Sequence, residues 1–470
     1  MANKDIDARF NVALSNYFDS TENPTLEHFV TTEISGNPDW YKALLSYINN
    51  QSAGADKSVS QEPINSPSSS IPSKSSPSST TTTNSSRHLL SESEIEYINS
   101  VYQGLSNENM WTLSTGTKVE KVMQKCASEN KLEQGAHSLI IDPLDPVWEF
   151  YFTDDEREEL SNFKAPKLPP MSSKMEEYLQ EFDDLVTWDE LWKKVNELVV
   201  DIKKDPEVYW LRTSIINALE LYHCDFFKKG VKSEADILHR VWRIIYLCFD
   251  NDSRITVTSG EKTSYASALR KKCIQNDEKE SPRRFFGTRT DLIFYTPLTM
   301  NEFGTTEIGL NSRTDSNKAI NELELKCPKT MKDMLLRNIR LYPGIQRDLV
   351  TCGFNISGLY INQLVMDNPS GYVCRLSRLP EELQYPEEPC DFIELIKPIL
   401  RIIYGTKVQM ETTLKKIKNK KAQDGVLSYG FKKPIDVLPL PSCFTPIPTP
   451  RKRKPSTSSL SDNSLSSNKK

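Results

Sequence analysis

Asp291 stands at the head of an apolar run, Leu292-Ile293-Phe294, and two further acids, Glu307 and Glu324, follow it in the chain. Glu324 is followed two places on by Lys326. These residue types suit phosphate chemistry. Two carboxylates can hold a hard cation such as Mg²⁺, which polarises a phosphate oxygen and lowers the pKa of an attacking water. A lysine beside them can orient that water and stabilise charge growing on the phosphate. All three groups must share one face. On a strand, residues i and i+2 point the same way, so Glu324 and Lys326 would face a cleft while Leu323 and Leu325 face the core.

The spacing leaves alternatives open. From Asp291 to Glu324 is 324 − 291 = 33 residues, long for a simple hairpin. Thr305 to Leu310 is a better hairpin partner for the Asp291 strand, and it carries Glu307. The position two after Glu307 is Gly309, so a lysine would then come from elsewhere, such as Lys326 or Lys329. Residues 316–326 contain no Gly or Pro and also read as helix, with Asp315 as its N-cap. In a helix Glu324 and Lys326 lie about 200° apart and share no face. In a non-catalytic reading Asp291 accepts a hydrogen bond from Arg289, and Glu324 and Lys326 belong to a solvated surface.

The elements that must position these residues begin at Ser233. The pattern predicts a helix over 233–249, a short strand over 254–258 broken by Ser259-Gly260, and a helix over 263–273. It continues with strands at 288–295 and 305–310, a helix at 331–342, strands at 356–365 and 372–376, and a closing helix at 392–421. The turn Asp367-Asn368-Pro369-Ser370-Gly371 separates the last two strands. Upstream, the Ser91-Glu92-Ser93-Glu94 start predicts a helix, 115–131 predicts another, and Leu139 to Asp142 reads as a short strand. Two further amphipathic stretches, through Trp188 and Trp210, predict a helical layer whose aromatics are core.

The stretch from Gly287 to Phe294, with Glu322-Leu323-Glu324-Leu325-Lys326 downstream, resembles the PD-(D/E)xK nuclease-like superfamily. Three further stretches, 111–116, 259–264 and 325–334, resemble uncharacterised fungal proteins. The resemblance covers roughly residues 90–420. It implies an α/β (α+β) fold with a mixed central sheet of the restriction-endonuclease-like type flanked by helices. It implies catalytic roles for Asp291, Glu324 and Lys326, and metal ligation by Asp291 with Glu307 or Glu324, Mg²⁺ being the cofactor if the site is active. The expected function is a nuclear metal-dependent phosphodiesterase acting on DNA or RNA, or a degenerate descendant of one. The alternative is a non-catalytic nuclear binding or scaffold protein that uses the same fold as a platform.

Composition sets the frame. The 470 residues are only 37% hydrophobic, so part of the chain is expected to stay unfolded. The divisions read as a small helical segment at 1–50, a Ser/Thr/Pro linker at 51–87, a mostly helical accessory region at 88–232, the α/β domain at 233–425, and a disordered basic tail at 440–470. The charged N-terminus and the lack of a long apolar run predict a soluble, nuclear or cytoplasmic protein with no membrane partner. Nine scattered cysteines with no CxxC spacing argue against structural zinc. The net charge of −5 excludes a uniformly basic coat but not a local basic cleft. Arg270, Lys271, Lys272, Arg283, Arg284 and Arg289 are the candidates for nucleic-acid contact. In the tail, Arg451, Lys452, Arg453 and Lys454 lie between prolines and suit a nuclear import receptor.

Overall fold

The computed structural model describes residues 88–250, 254–275, 286–310, 324–426 and 438–446, all within one compact unit of the chain. Its centre is an eight-stranded mixed sheet. The strands are β1 (Ile140–Ile141), β2 (Thr256–Thr263), β3 (Arg289–Tyr295), β4 (Glu302–Gly309), β5 (Thr351–Ser357), β6 (Tyr360–Asp367), β7 (Cys374–Arg378) and β8 (Leu383–Gln384). Their spatial order is β1-β7-β6-β5-β4-β3-β2, with β8 also paired to β6. The β4–β5 and β1–β7 pairs are parallel and the others antiparallel.

The helices are α1 (Glu92–Gln103), α2 (Val119–Glu129), α3 (Asp154–Asn162), α4 (Ser173–Gln180), α5 (Trp188–Glu197), α6 (Pro206–His223), α7 (Arg243–Asp250), α8 (Tyr265–Gln275), α9 (Cys327–Leu341) and α10 (Phe392–Val426). Their starts are written locally. Ser91 caps α1 by accepting from the Glu94 N–H, while Glu94 reaches back to the Ser91 N–H at 2.8 Å. The same reciprocal box opens α3 at Thr153 and α5 at Thr187. Pro206 starts α6, where a missing N–H costs nothing.

Alternation along the strands assigns the two faces of the sheet. Phe294 packs on Phe249 of α7, and Cys352 lies against Gln409 of α10, so α7 and α10 cover one face. Ile293 packs with Ala266 of α8 and Met334 of α9, and Thr351 donates to the Met331 carbonyl, so α8 and α9 cover the other. One apolar cluster takes residues from Ile140 through α4, α5 and α6 to Ile417, on both sides of the 232/233 boundary read from the sequence. Arg375 of β7 binds this assembly together. It is fully buried, forms a two-pronged pair with Asp367 at 3.1 and 2.6 Å, and donates to the Leu160 and Phe163 carbonyls at the end of α3.

Three expectations about the elements need correction. Ser259-Gly260 does not end the first long strand. Gly260, at φ +88°, forms a bulge between Ser259 and Lys262, and β2 continues to Thr263. The run expected as one strand at 356–365 is two strands, because the chain reverses at Gly358, φ +59°. The tail does not begin at residue 440. Cys443 and Phe444 are buried, and the Phe444 N–H donates to the Ser138 hydroxyl at 3.1 Å. Phe444 joins the cluster around Trp111 and Trp148, an apolar reward that the Pro/Ser-rich composition concealed. Residues 1–87 and the basic cluster at 451–454 lie outside the described residues.

Candidate active site

Strands β3 and β4 form an antiparallel hairpin in which Leu292 pairs with Thr306. Asp291 is one step beyond, level with Glu307, and both belong to the face covered by α8 and α9. Asp291 is half-buried, and its Oδ2 accepts the Ile308 N–H at 2.8 Å. This ties one oxygen of the carboxylate to the neighbouring strand of the hairpin. Glu307 is 1% exposed.

Glu324 and Lys326 do not lie on a strand. Residues 324–326 form a helical turn that runs into α9, and Lys326 has helical backbone angles, φ −64° and ψ −48°. The helical periodicity separates the two side chains. Glu324 is exposed, whereas Leu325 is buried and Lys326 half-buried. Lys326 turns to the sheet, and its Nζ lies 2.7 Å from Glu307 Oε2. The structure therefore brings together Asp291, Glu307 and Lys326, and places Glu324 on the exposed side of the helical turn. Cys327 is buried beside the same charges. Burial pushes its thiol well up, Glu307 and Asp291 add to the rise, and Lys326 opposes it. A thiol held protonated in this way is a packing group, not a nucleophile.

Asp291 and Glu307 offer hard oxygen donors of the kind Mg²⁺ takes, usually one or two carboxylates completed by water and phosphate oxygens. Their chemistry fits that ion. Among the described residues no group of three or more His, Cys, Asp or Glu side chains converges on one point, so a resident cation would draw the rest of its shell from water or substrate.

The basic residues sort differently from their sequence grouping. Arg270 is not a surface contact. It is buried on α8, where its Nε pairs with Asp333 of α9 at 2.7 Å. A cation so placed joins two helices and cannot reach a phosphate outside, because its partner is the acid that burial demands. Lys271 is half-buried and donates to the Phe286 carbonyl at 3.3 Å. Lys272 and Arg289 are exposed. Arg283 and Arg284 lie outside the described residues.

Sequence reasoning passed over Asn355. Parallel pairing sets it level with Glu307, and the available signal was a lone amide in the apolar run Cys352-Gly353-Phe354-Asn355-Ile356. No helix of the described residues is long and apolar enough to cross a membrane. Comparison of the chain with protein-family models, curated proteins and solved structures finds no match.

Proposed function

We propose that the protein is a metal-dependent phosphodiesterase of the nuclease-like kind, acting on DNA or RNA, built on a restriction-endonuclease-like core. The observation that carries this reading is the meeting of Lys326 with Glu307 on the strand next to Asp291. The element order supports the core type: α7, three antiparallel strands β2, β3 and β4 with α8 between the first two, then α9, then β5 parallel to β4.

In this reading Asp291 and Glu307 hold Mg²⁺. When bound, the ion supplies an electrophile for a phosphate oxygen and acidifies water. The protein's own groups do the rest. The Ile308 N–H keeps Asp291 aimed across the hairpin. Lys326, with a side chain 30% exposed and its ammonium on Glu307, sets a positive charge where phosphate charge grows. It also gives the buried Glu307 the cationic partner that a buried carboxylate requires. Lys272 and Arg289 are the exposed cations that support a phosphate backbone nearby. Entry to the nucleus through Arg451, Lys452, Arg453 and Lys454 belongs to the same reading, with the cytoplasm as the alternative.

A second reading, a non-catalytic binding platform, is favoured by one observation: the Glu307–Lys326 pair already neutralises the more buried of the two acids. Cleavage assays on labelled single- and double-stranded DNA and RNA, with Mg²⁺ or Mn²⁺, separate the two. The nuclease reading expects cleavage by the parent and none by Asp291→Ala. It also expects Mn²⁺ to raise the melting temperature of the parent but not of the variant, whose fold persists. A parent that neither cleaves nor gains stability from Mn²⁺ leaves the platform.

A further inference from the structure

The polar row at the site continues past Glu307. Glu307 of β4 is level with Asn355 of β5, and Asn355 is level with Asn362 of β6. Asp291, Glu307, Asn355 and Asn362 thus cross four neighbouring strands in one line. Residues level on adjacent strands have Cβ atoms about 4.5–5.5 Å apart and share a face. Asn362 ends the row structurally. Its amide donates to the Leu379 carbonyl at 3.1 Å, and its Oδ1 accepts the Leu379 N–H at 3.0 Å. Asn355 is half-buried between that anchored amide and the acids. Its same-face neighbours along β5, Gly353 and Ser357, are small, while Cys352, Phe354 and Ile356 fill the opposite face.

We propose that Asn355 is a substrate-positioning residue of this site, its amide N–H donating to a phosphate oxygen of the nucleic-acid backbone. The inference rests on the nuclease reading above and adds to it the group that meets the substrate. Asp291 and Glu307 bring two negative charges and Lys326 one positive, and a bound Mg²⁺ would turn that balance from one net negative to one net positive charge, which attracts phosphate. A third carboxylate in the row would cancel that surplus. An amide does the reverse: it donates to the phosphate and adds no charge. The cation then completes its shell with substrate oxygens, as Mg²⁺ commonly does.

The test uses the full-length protein, oligonucleotide cleavage kinetics in Mn²⁺, and the Mn²⁺-induced rise in melting temperature without nucleic acid. Asn355→Ala should raise KM about tenfold, the effect of one hydrogen bond to a charged group, with kcat nearly unchanged. Asn355→Asp keeps the shape but loses the donor. It should raise KM at least as much and enlarge the Mn²⁺ response beyond that of the parent, a signature that a packing role would not produce. Two folded variants with parental KM, or an Asn355→Asp protein with a parental Mn²⁺ response, overturn the role of Asn355 alone. A parent that cleaves no nucleic acid overturns the nuclease reading, and this inference falls with it.

Discussion

The partners in the Lys326–Glu307 contact are unequally placed: the acid's side chain is 2% exposed and the lysine's 30%. The acid therefore depends on the lysine more than the lysine on the acid. Lys326→Met should lower unfolding free energy by about 1–3 kcal/mol, because a buried carboxylate loses its cation. Glu307→Gln combined with Lys326→Met should cost less than the two single changes added together, as urea titration at pH 7 would show. Strict additivity would mean that the pair carries no coupling. The acids and the lysine were legible in the sequence as types, and Glu307 stood out because its strand was the natural hairpin partner. The sequence left the lysine open between Lys326 and Lys329, and residues 316–326 open between strand and helix. An i, i+2 spacing reads as a shared face on a strand, and only the helical turn at 324–326 shows that Lys326 reaches across while Glu324 points out. Asn355 offered only the signal of a lone amide in an apolar run until register set it level with Glu307.

Glu120 shows how one element is tied to another. It sits fully buried on α2, where its two oxygens accept the Trp111 N–H at 2.9 Å and the Tyr372 N–H at 2.7 Å, joining the N-terminal helices to the approach to β7. Burial pushes its carboxyl up, and the backbone donors and Arg347 pull it partly back. A folded-state value above the unfolded one has a definite sign. The contribution of Glu120 is fully present below the unfolded range, about pH 4.3, and is lost as pH rises through the folded value. Glu120→Gln does not titrate, so denaturant curves from pH 4.5 to 7.5 should show a shallower decline with pH than the parent. At pH 7 the variant should still be less stable by about 1–3 kcal/mol, since its NH₂ faces a donor. A parallel pH dependence in the two proteins would count against the assignment. At this scale the sequence reads well wherever period and cap agree. Ser91 and Glu94 announce α1, and Asp291 to Tyr295 announces β3. It reads poorly at Gly260 and Gly358, because a Ser-Gly step marks a bulge and a reversal alike, and only pairing tells them apart.

Across the whole molecule, the segment 438–446 packs beside α9, where Cys443 Sγ lies 3.5 Å from the Lys329 carbonyl and Phe444 fills an apolar cluster. Deleting 438–470 should lower the melting temperature by several degrees, the order expected from exposing one buried aromatic side chain. Deleting only 447–470 should leave melting unchanged while moving a fluorescent fusion from nucleus to cytoplasm, since it removes Arg451 to Lys454. Equal melting of the two truncations would show that the packed segment contributes nothing, and an unmoved fusion would remove the import role. The contact between Phe444 and Ser138 spans 306 residues of sequence. The parallel pairing of β1 with β7 joins Ile140 to Cys374, 374 − 140 = 234 residues apart. A ribosome adds residues one at a time, about 5–20 per second. The N-terminal helices therefore wait many seconds for β7, and longer for residue 444, with apolar faces such as those of Trp111 and Met123 uncovered. Newly made chains of this protein should lean on chaperones until β7 has emerged, and a premature stop before Cys374 should yield an aggregate rather than a smaller folded protein.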